Sequence, residues 1–202
     1  MALNWGYASA ETFTRAFHRN FGVPPSSYRR SMRAEIGHDD QERAARARID
    51  HHPHLQLIGM RFHYRTREEL GQYWKHFAMQ LRAQGLDMNA QAVAVKHDFD
   101  AVTRPGLRRY TCAIVDTGMT DVEPRLPLTR FSIAEGDYAS LECSDCRAEI
   151  RRHWFALFSA WTHAVNWMRP VMVGHGGLEL YQEPPWEQAP EASQVKLMLR
   201  IH

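Results

Sequence analysis

The sequence is poor in cysteine and in long apolar runs, and each shortage argues against a class of protein. Three cysteines, an odd number, do not make a disulfide framework and fit a reducing compartment. No apolar run approaches the roughly 18 residues of a membrane span, and the first residues lack the basic and apolar regions of a signal peptide. We therefore expect a globular cytoplasmic protein without membrane contact.

Sequence motifs for nucleotide, zinc-protease and serine-hydrolase chemistry are also absent. The chain contains no Gly-rich phosphate loop, no His-Glu-x-x-His helix and no Gly-x-Ser-x-Gly elbow. The pair Cys143-x-x-Cys146 has a spacing found in metal and redox sites, but a structural zinc site needs four ligands, and only Cys112 or a distant histidine remains to complete it. We expect no metal and no cofactor.

Charge is distributed unevenly along the 202 residues, although the net charge is only +2. Residues 1–34 carry five arginines against one acid, whereas residues 49–202 carry 17 basic and 18 acidic side chains. A small basic head on a neutral body indicates that the head alone is suited to a polyanion.

The basic head has the pattern of two short helices. Ser9 and Glu11 are typical of a helix start, apolar residues follow at helical spacing from Phe13 to Phe21, and Gly22 ends the run. A second short helix is predicted over 26–33. Residues 34–50 are polar without an apolar period, which is typical of a linker.

The head also carries a family pattern, from Trp5 to Phe17 and from Phe21 to Arg29. Its Phe-x-x-x-Phe, Phe-Gly-x-x-Pro and Tyr-Arg elements, in this order, resemble the end of the DNA-binding domain of AraC/XylS-type transcription regulators. That domain has two helix-turn-helix units, and residues 1–33 match only the second recognition-type helix and the helix behind it. The resemblance implies that DNA is contacted by five residues: Ser9, Glu11, Thr12, Arg15 and Arg19. A solvated helix face explains Arg15 and Arg19 equally well.

A β-α-β-β pattern occurs twice in the remaining chain, at an offset of roughly 70 residues, which indicates an internal duplication. The first copy comprises strand 55–63, helix 68–84 and strands 92–96 and 109–116. The second copy comprises strands 126–133 and 138–143, helix 146–166 and strands 178–182 and 194–201. Two such halves joined edge to edge predict an α+β fold: one antiparallel sheet with two helices on one face and a ligand cleft on the other.

The alternation around Glu179 predicts which residues face that cleft. Leu178 and Leu180 fall on one side of their strand and Glu179 and Tyr181 on the other, which we expect to be the face without helices. The glycines before this strand predict open space at its mouth. On the strand 109–116 the pattern leaves two sets open, Tyr110, Cys112 and Ile114 or Thr111 and Ala113.

The second half carries a second resemblance. Gly136-Asp137-Tyr138-Ala139, the helix from Trp154 to Trp161, the stretch Gly177–Tyr181 and the strand Val195–Ile201 together resemble the GyrI-like, or Rob-type effector-binding, domain. The resemblance implies a tandem βαββ fold over 51–202, lipophilic organic cations as ligands, and Glu179 as the binding residue. A few relatives resemble hydrolases of cyclopropane-bearing genotoxins, in which the same glutamate acts as an acid/base group.

Three functions remain open for this sequence. The first is a ligand-responsive transcriptional regulator, or its sensor part, in which a carboxylate among aromatic rings binds a lipophilic cation. Its expected ligand-binding residues are Glu179, Tyr181, Tyr110, Trp161 and Trp74. The second is a hydrolase of reactive electrophiles using Glu179 with Tyr110 or Tyr181.

The third function is a protein-interaction domain whose seam docks a macromolecule. The alternatives without a functional role are that Glu179 lies in water at the rim of the sheet and that the tryptophans only fill the core. We favour the sensor over the enzyme because a single carboxylate without a second catalytic group is little for catalysis. The ligand's identity and the formation of a homodimer stay open.

Overall fold

The computed structural model describes residues 9–21, 23–27, 30, 42, 45–98, 100, 103–118, 122–143, 150–157, 177–187 and 194–201. The first helix, α1, spans Ala10–Phe21. Its start is capped as predicted, because Ser9 Oγ accepts a hydrogen bond of 3.1 Å from the Thr12 backbone N–H. Most of the predicted second helix and of the linker lies outside the described residues.

Among the described residues from 48 onward, eight strands form one antiparallel sheet. The strands are β1 (Arg48–His52), β2 (Leu55–Tyr64), β3 (Ala92–Lys96), β4 (Arg108–Val115), β5 (Thr129–Ile133), β6 (Gly136–Cys143), β7 (Gly177–Tyr181) and β8 (Val195–Arg200). Their order across the sheet is β1-β6-β8-β7-β3-β4-β2-β5. This arrangement confirms the predicted α+β class with one antiparallel sheet.

The sheet order reflects the duplication that the sequence predicts. The triplet β2-β4-β3 of the first copy is repeated as β6-β8-β7 of the second, and the copies join edge to edge where β3 pairs antiparallel with β7. Each outer edge gains one further strand. The strand predicted to begin the second copy, β5, instead pairs with β2 at the outer edge of the first copy, so that assignment is corrected. β1, which begins inside the stretch expected to be linker, pairs with β6.

Both helices of the duplicated part pack on one face of the sheet. They are α2 (Glu69–Ala83) and α3, of which residues 150–157 are described. Trp74 and Phe77 of α2 and Trp154 of α3 enter a single apolar cluster with the strand residues of that face. The opposite face carries a second buried cluster that includes Val93, Leu178 and Met198. No described helix is long and apolar enough to cross a membrane.

The predicted side of the cleft is wrong. Tyr181 belongs to the cluster beneath the helices, and Glu179 lies beside it, whereas Leu178 and Leu180 belong to the opposite cluster. The prediction assumed that helices would not cover a carboxylate. Burial is tolerated here because neighbouring side chains satisfy the carboxylate with hydrogen bonds.

Candidate functional site

Glu179 is the centre of a buried hydrogen-bonded group and is only 2% exposed. Its Oε2 accepts hydrogen bonds from the hydroxyls of Tyr110 at 2.7 Å and Tyr181 at 2.9 Å. Its Oε1 accepts one from the indole Nε1 of Trp154 at 2.9 Å. The two tyrosine hydroxyls lie 3.1 Å apart. Three donors from three different elements therefore fix the position of the carboxylate.

The strand register explains why these side chains meet. Glu179 on β7 lies opposite Ala94 on β3, and Ala94 in turn lies opposite Cys112 on β4. Tyr181 and Tyr110 are each two residues from those positions and so share the same face. Because β3 contributes only a methyl group at Ala94, the side chains of β4 and β7 reach each other across it. The register also shows which side chains of β4 lie on the same face as Glu179: Tyr110, Cys112 and Ile114 face the helices.

The indole ring of Trp154 lies against Gly177 at the start of β7, where we expected open space. A Cβ atom built on Gly177 would lie 2.2 Å from Cη2 of Trp154. The expectation of open space at the mouth of β7 is therefore wrong at Gly177, since an indole ring fills it. Sequence analysis missed this donor, because Trp154 falls on an apolar helical stripe and was expected to be core. Gly174, His175 and Gly176 lie outside the described residues.

A small cavity adjoins the carboxylate. It is lined by seven side chains: Arg67, Leu70, Trp74, Tyr110, Ile150, Glu179 and Tyr181. The space open to the centres of water molecules is about 20 Å³, enough for a water or two, whereas ligand pockets usually measure about 300–1,000 Å³. A drug-sized ligand therefore requires these side chains to move apart.

Four of the five predicted ligand-binding residues line this cavity together: Glu179, Tyr181, Tyr110 and Trp74. The fifth, Trp161, lies outside the described residues. Arg67, Leu70 and Ile150 are additions that sequence analysis did not single out. Leu70 and Ile150 carry the ordinary apolar spacing of their helices, and Arg67 precedes its helix without any motif around it.

A buried ionic cluster borders the cavity beside Arg67. Asp100 accepts hydrogen bonds from Lys96 Nζ at 2.7 Å, from Arg67 Nε at 2.7 Å and from the hydroxyl of Tyr64. Burial favours the neutral acid, but the charges of Lys96 and Arg67 outweigh it and hold the pKa of Asp100 below its usual range. Asp100 is therefore an anion shared by two cations.

Tyr110 differs from a water-exposed phenol in its pKa. Burial, together with the nearby charge of Glu179, raises the pKa of Tyr110 well above its ordinary value. Tyr110 consequently keeps its proton at neutral pH and remains a hydrogen-bond donor.

Aromatic rings form the wall on the side of α2. Trp74 meets Tyr181 edge to face at a centroid distance of 5.4 Å and Tyr110 at 6.4 Å. Trp186, from the segment after β7, packs behind Trp74 at 5.8 Å and against Phe77 at 6.2 Å. Such a wall offers ring faces and edges to an apolar ligand.

The predicted DNA-contacting residues all lie exposed at or within α1: Ser9, Glu11, Thr12, Arg15 and Arg19. Ser9 serves as the helix cap, and Arg15 forms a 3.9 Å ion pair with Glu11 on the solvent side. Their exposure is compatible with a DNA-facing surface and with a plain solvated face alike.

The structure describes only one cysteine of the pair Cys143-x-x-Cys146. Cys112 and Cys143 are buried, and Cys146 lies outside the described residues. Within the described ranges, no group of three or more His, Cys, Asp or Glu side chains gathers in a way that could hold a metal ion.

Residues 47–202 match the model of the GyrI-like small molecule binding domain. The chain belongs to that family. The resemblance predicted for its second half is thereby confirmed, whereas the AraC/XylS resemblance of residues 1–33 stays a prediction. No curated protein sequence matches the chain.

Solved structures share the fold at low identity. The EcmrR–DNA complex is 12% identical with a TM-score of 0.63, over 100% of this chain and 75% of that one. SAV2435 bound to tetraphenylphosphonium is 12% identical with a TM-score of 0.52, over 77% of this chain and 93% of that one. A hydrolase from Listeria innocua is 9% identical with a TM-score of 0.50, over 78% of this chain and 92% of that one.

Proposed function

We propose that the chain is a ligand-responsive transcriptional regulator, or its sensor part, that binds lipophilic cations beside Glu179. The supporting observation is a buried carboxylate whose three hydrogen-bonding partners, among the described residues, are all neutral donors. A carboxylate without a directly paired cation gains most from a ligand that brings a positive charge.

The cavity walls favour a lipophilic cation over a small polar one. Trp74, Tyr110 and Tyr181 offer aromatic rings at the carboxylate, which attract a cation while burying its apolar groups. Since the cavity has room for only a water or two, binding of a larger ligand would separate α2 and α3 from the sheet locally. Such a displacement would transmit ligand binding to another part of the protein as a conformational change.

The regulator proposal assigns separate roles to three segments. Residues 1–33 would contact DNA, residues 34–50 would link, and residues 51–202 would bind the ligand. Two structural neighbours support this division: EcmrR was solved in complex with DNA, and SAV2435 was solved bound to tetraphenylphosphonium.

Calorimetric titration of tetraphenylphosphonium tests the ligand part. We expect saturable binding that weakens at least tenfold in Glu179→Gln, about 1.4 kcal/mol, because the amide keeps the size of the side chain and removes its charge. Glu142→Gln, at an exposed position of β6, serves as the matched control and should bind as the wild type does. Equal binding by both variants would refute the proposal.

DNA binding by the head is tested by anisotropy of a labelled duplex at several salt concentrations. Arg15 and Arg19 lie exposed on α1, so replacing both by Gln should weaken binding and lower the salt dependence by about two phosphate contacts. An unchanged salt slope would favour the solvated-face alternative.

A second candidate function is hydrolysis of reactive electrophiles, such as cyclopropane-bearing genotoxins. The observation that favours it is the 2.7 Å contact between a phenol that keeps its proton, Tyr110, and a carboxylate, Glu179. Glu179 would accept a proton from water as the water oxygen bonds to the electrophilic carbon. The ring bond to that carbon would break, its electron pair would take the proton of Tyr110, and Glu179 would then return a proton to Tyr110. Incubation with such an electrophile, followed by mass spectrometry, should show consumption by the wild type above buffer and a loss in Tyr110→Phe. Consumption no faster than in buffer would exclude this activity.

A further inference from the structure

Arg67 lies on the same cavity as Glu179 but is bound by a different carboxylate. Its Nε donates to Asp100 at 2.7 Å, and Asp100 is held in turn by Lys96 at 2.7 Å. The Arg67 side chain is 22% exposed, whereas that of Lys96 is only 4% exposed. The guanidinium is therefore held at its Nε atom, lines the cavity and is largely shielded from solvent.

Most of the hydrogen-bonding capacity of Arg67 is unused. A guanidinium has five N–H donors. In the described part of the chain, the Nη atoms of Arg67 form no hydrogen bond, and only Nε is engaged. Glu179 shows the reverse situation, since its two oxygens already accept three hydrogen bonds. The cavity thus offers a ligand several donors at Arg67 and little remaining acceptor capacity at Glu179.

The charges around the cavity also balance without a ligand. Among the described side chains that line it, Arg67 is the one basic group and Glu179 the one acidic group, while Lys96 is paired with Asp100 at 2.7 Å. A simple monocation beside Glu179 also lies near Arg67, whose positive charge weakens its binding. A ligand that carries an anionic group as well as a cation avoids this repulsion.

We infer that the preferred ligands are amphipathic zwitterions, in which Glu179 faces the cationic part and Arg67 binds a carboxylate through its free Nη donors. This inference rests on the proposed function and specifies the ligand class. Arginine suits the role because its planar donors match the two oxygens of a carboxylate.

A pair of dyes tests the inference. Rhodamine B is a zwitterion with a xanthylium cation and a carboxylate, and its ethyl ester carries the same cation without the anion. Fluorescence titrations of both dyes would compare the wild type with Arg67→Gln and Glu179→Gln. Arg65→Gln is the matched control, because Arg65 is exposed two residues away and does not line the cavity.

The expected result is that the wild type and Arg65→Gln bind rhodamine B about tenfold or more tightly than its ester, since a charge-assisted pair contributes that much. Arg67→Gln should lose this preference while still binding the ester. Equal binding of the two dyes by the wild type, or a preference that survives Arg67→Gln, would overturn the inference. The wild-type comparison decides even if Arg67→Gln fails to fold.

The Glu179→Gln arm separates this inference from the proposed function. If Glu179→Gln binds the ester as tightly as the wild type does, the cation site itself is wrong. If Glu179→Gln loses the ester but the dye preference does not depend on Arg67, only the zwitterion inference fails. If the wild type binds neither rhodamine B nor its ester, both the zwitterion inference and the proposed function are contradicted.

Discussion

Tyr110 and Glu179 come from different halves of the duplicated fold and are joined by a hydrogen bond of 2.7 Å. They lie on β4 and β7, with β3 and its small residue Ala94 between them. The hydrogen bond therefore crosses the seam where the two copies meet. A ligand that displaces either side chain alters a contact between the two halves.

Tyr110→Phe removes one of the three donors of the buried carboxylate. We expect the free energy of unfolding to fall by about 1–3 kcal/mol, because Glu179 is left with less satisfied hydrogen-bonding capacity in a buried place. Urea denaturation monitored by circular dichroism measures this change.

The matched control for Tyr110→Phe is Tyr138→Phe. Tyr138 is also buried on a strand, but its hydroxyl makes only a marginal contact of 3.5 Å with the Ala134 carbonyl. Its replacement should cost little. In a Glu179→Gln background the cost of Tyr110→Phe should shrink, and a cost that stays the same would mean that the hydroxyl acts through another partner.

Much of the duplicated fold could be predicted from the sequence, because its strands alternate regularly and its helices carry clear apolar spacing. The strand Ala92–Lys96 agrees with its predicted limits, and α2 differs from its predicted limits by one residue at each end. β1 was missed, since Arg48–His52 is polar and mostly exposed at the sheet edge and has no apolar alternation. Its pairing with β6 is a tertiary contact that local sequence does not encode.

Gly177→Ala should disturb the site without touching any of its polar groups. The new methyl group would overlap the six-membered ring of Trp154, which must move and weaken its hydrogen bond to Glu179. We expect a loss of about 1–3 kcal/mol in stability, as for other overpacked positions, together with weaker binding of tetraphenylphosphonium.

Gly136→Ala is the control for that experiment. A Cβ atom there would approach only the flexible end of Arg200, at 3.3 Å, so we expect a near-neutral effect on both stability and binding. If both glycine variants behave alike, the position of Trp154 is not limited by Gly177.

Asp100 gives the protein a stability that depends on pH. The charges of Lys96 and Arg67 hold its pKa below the ordinary value of about 4 despite burial. The contribution of Asp100 to folding stability is complete at pH values above its ordinary pKa. It is lost as the pH falls toward the lower pKa that Asp100 has in the folded state. Asp100→Asn removes it, so the difference in unfolding free energy between wild type and variant should shrink on acidification below about pH 4.

Thermal or urea unfolding from pH 7 to pH 2 measures that difference. Asp87→Asn provides the control, because Asp87 is exposed and accepts only a backbone N–H from Asn89. A difference between wild type and Asp100→Asn that is constant over this range would show that the carboxylate is not stabilised by the two cations.

The site was only partly predictable for a physical reason. Alternation places Glu179 and Tyr181 on one face, and a family resemblance singles out the glutamate, but neither tells which face the helices cover. Arg67 and Asp100 meet through an irregular segment and a helix start that carry no periodic signal. Contacts of this kind depend on the assembled sheet and emerge only from the structure.

The indole N–H of Trp154 reports most directly on whether a ligand binds at Glu179, because it donates to that carboxylate. We would record ¹H–¹⁵N spectra of the six tryptophan side chains during titration with tetraphenylphosphonium, with the Trp154 signal assigned by Trp154→Phe. A saturable shift or loss of the Trp154 signal that is abolished in Glu179→Gln is the predicted result. Saturable shifts of other tryptophan signals with Trp154 unchanged would place the ligand elsewhere and contradict a binding site centred on Glu179.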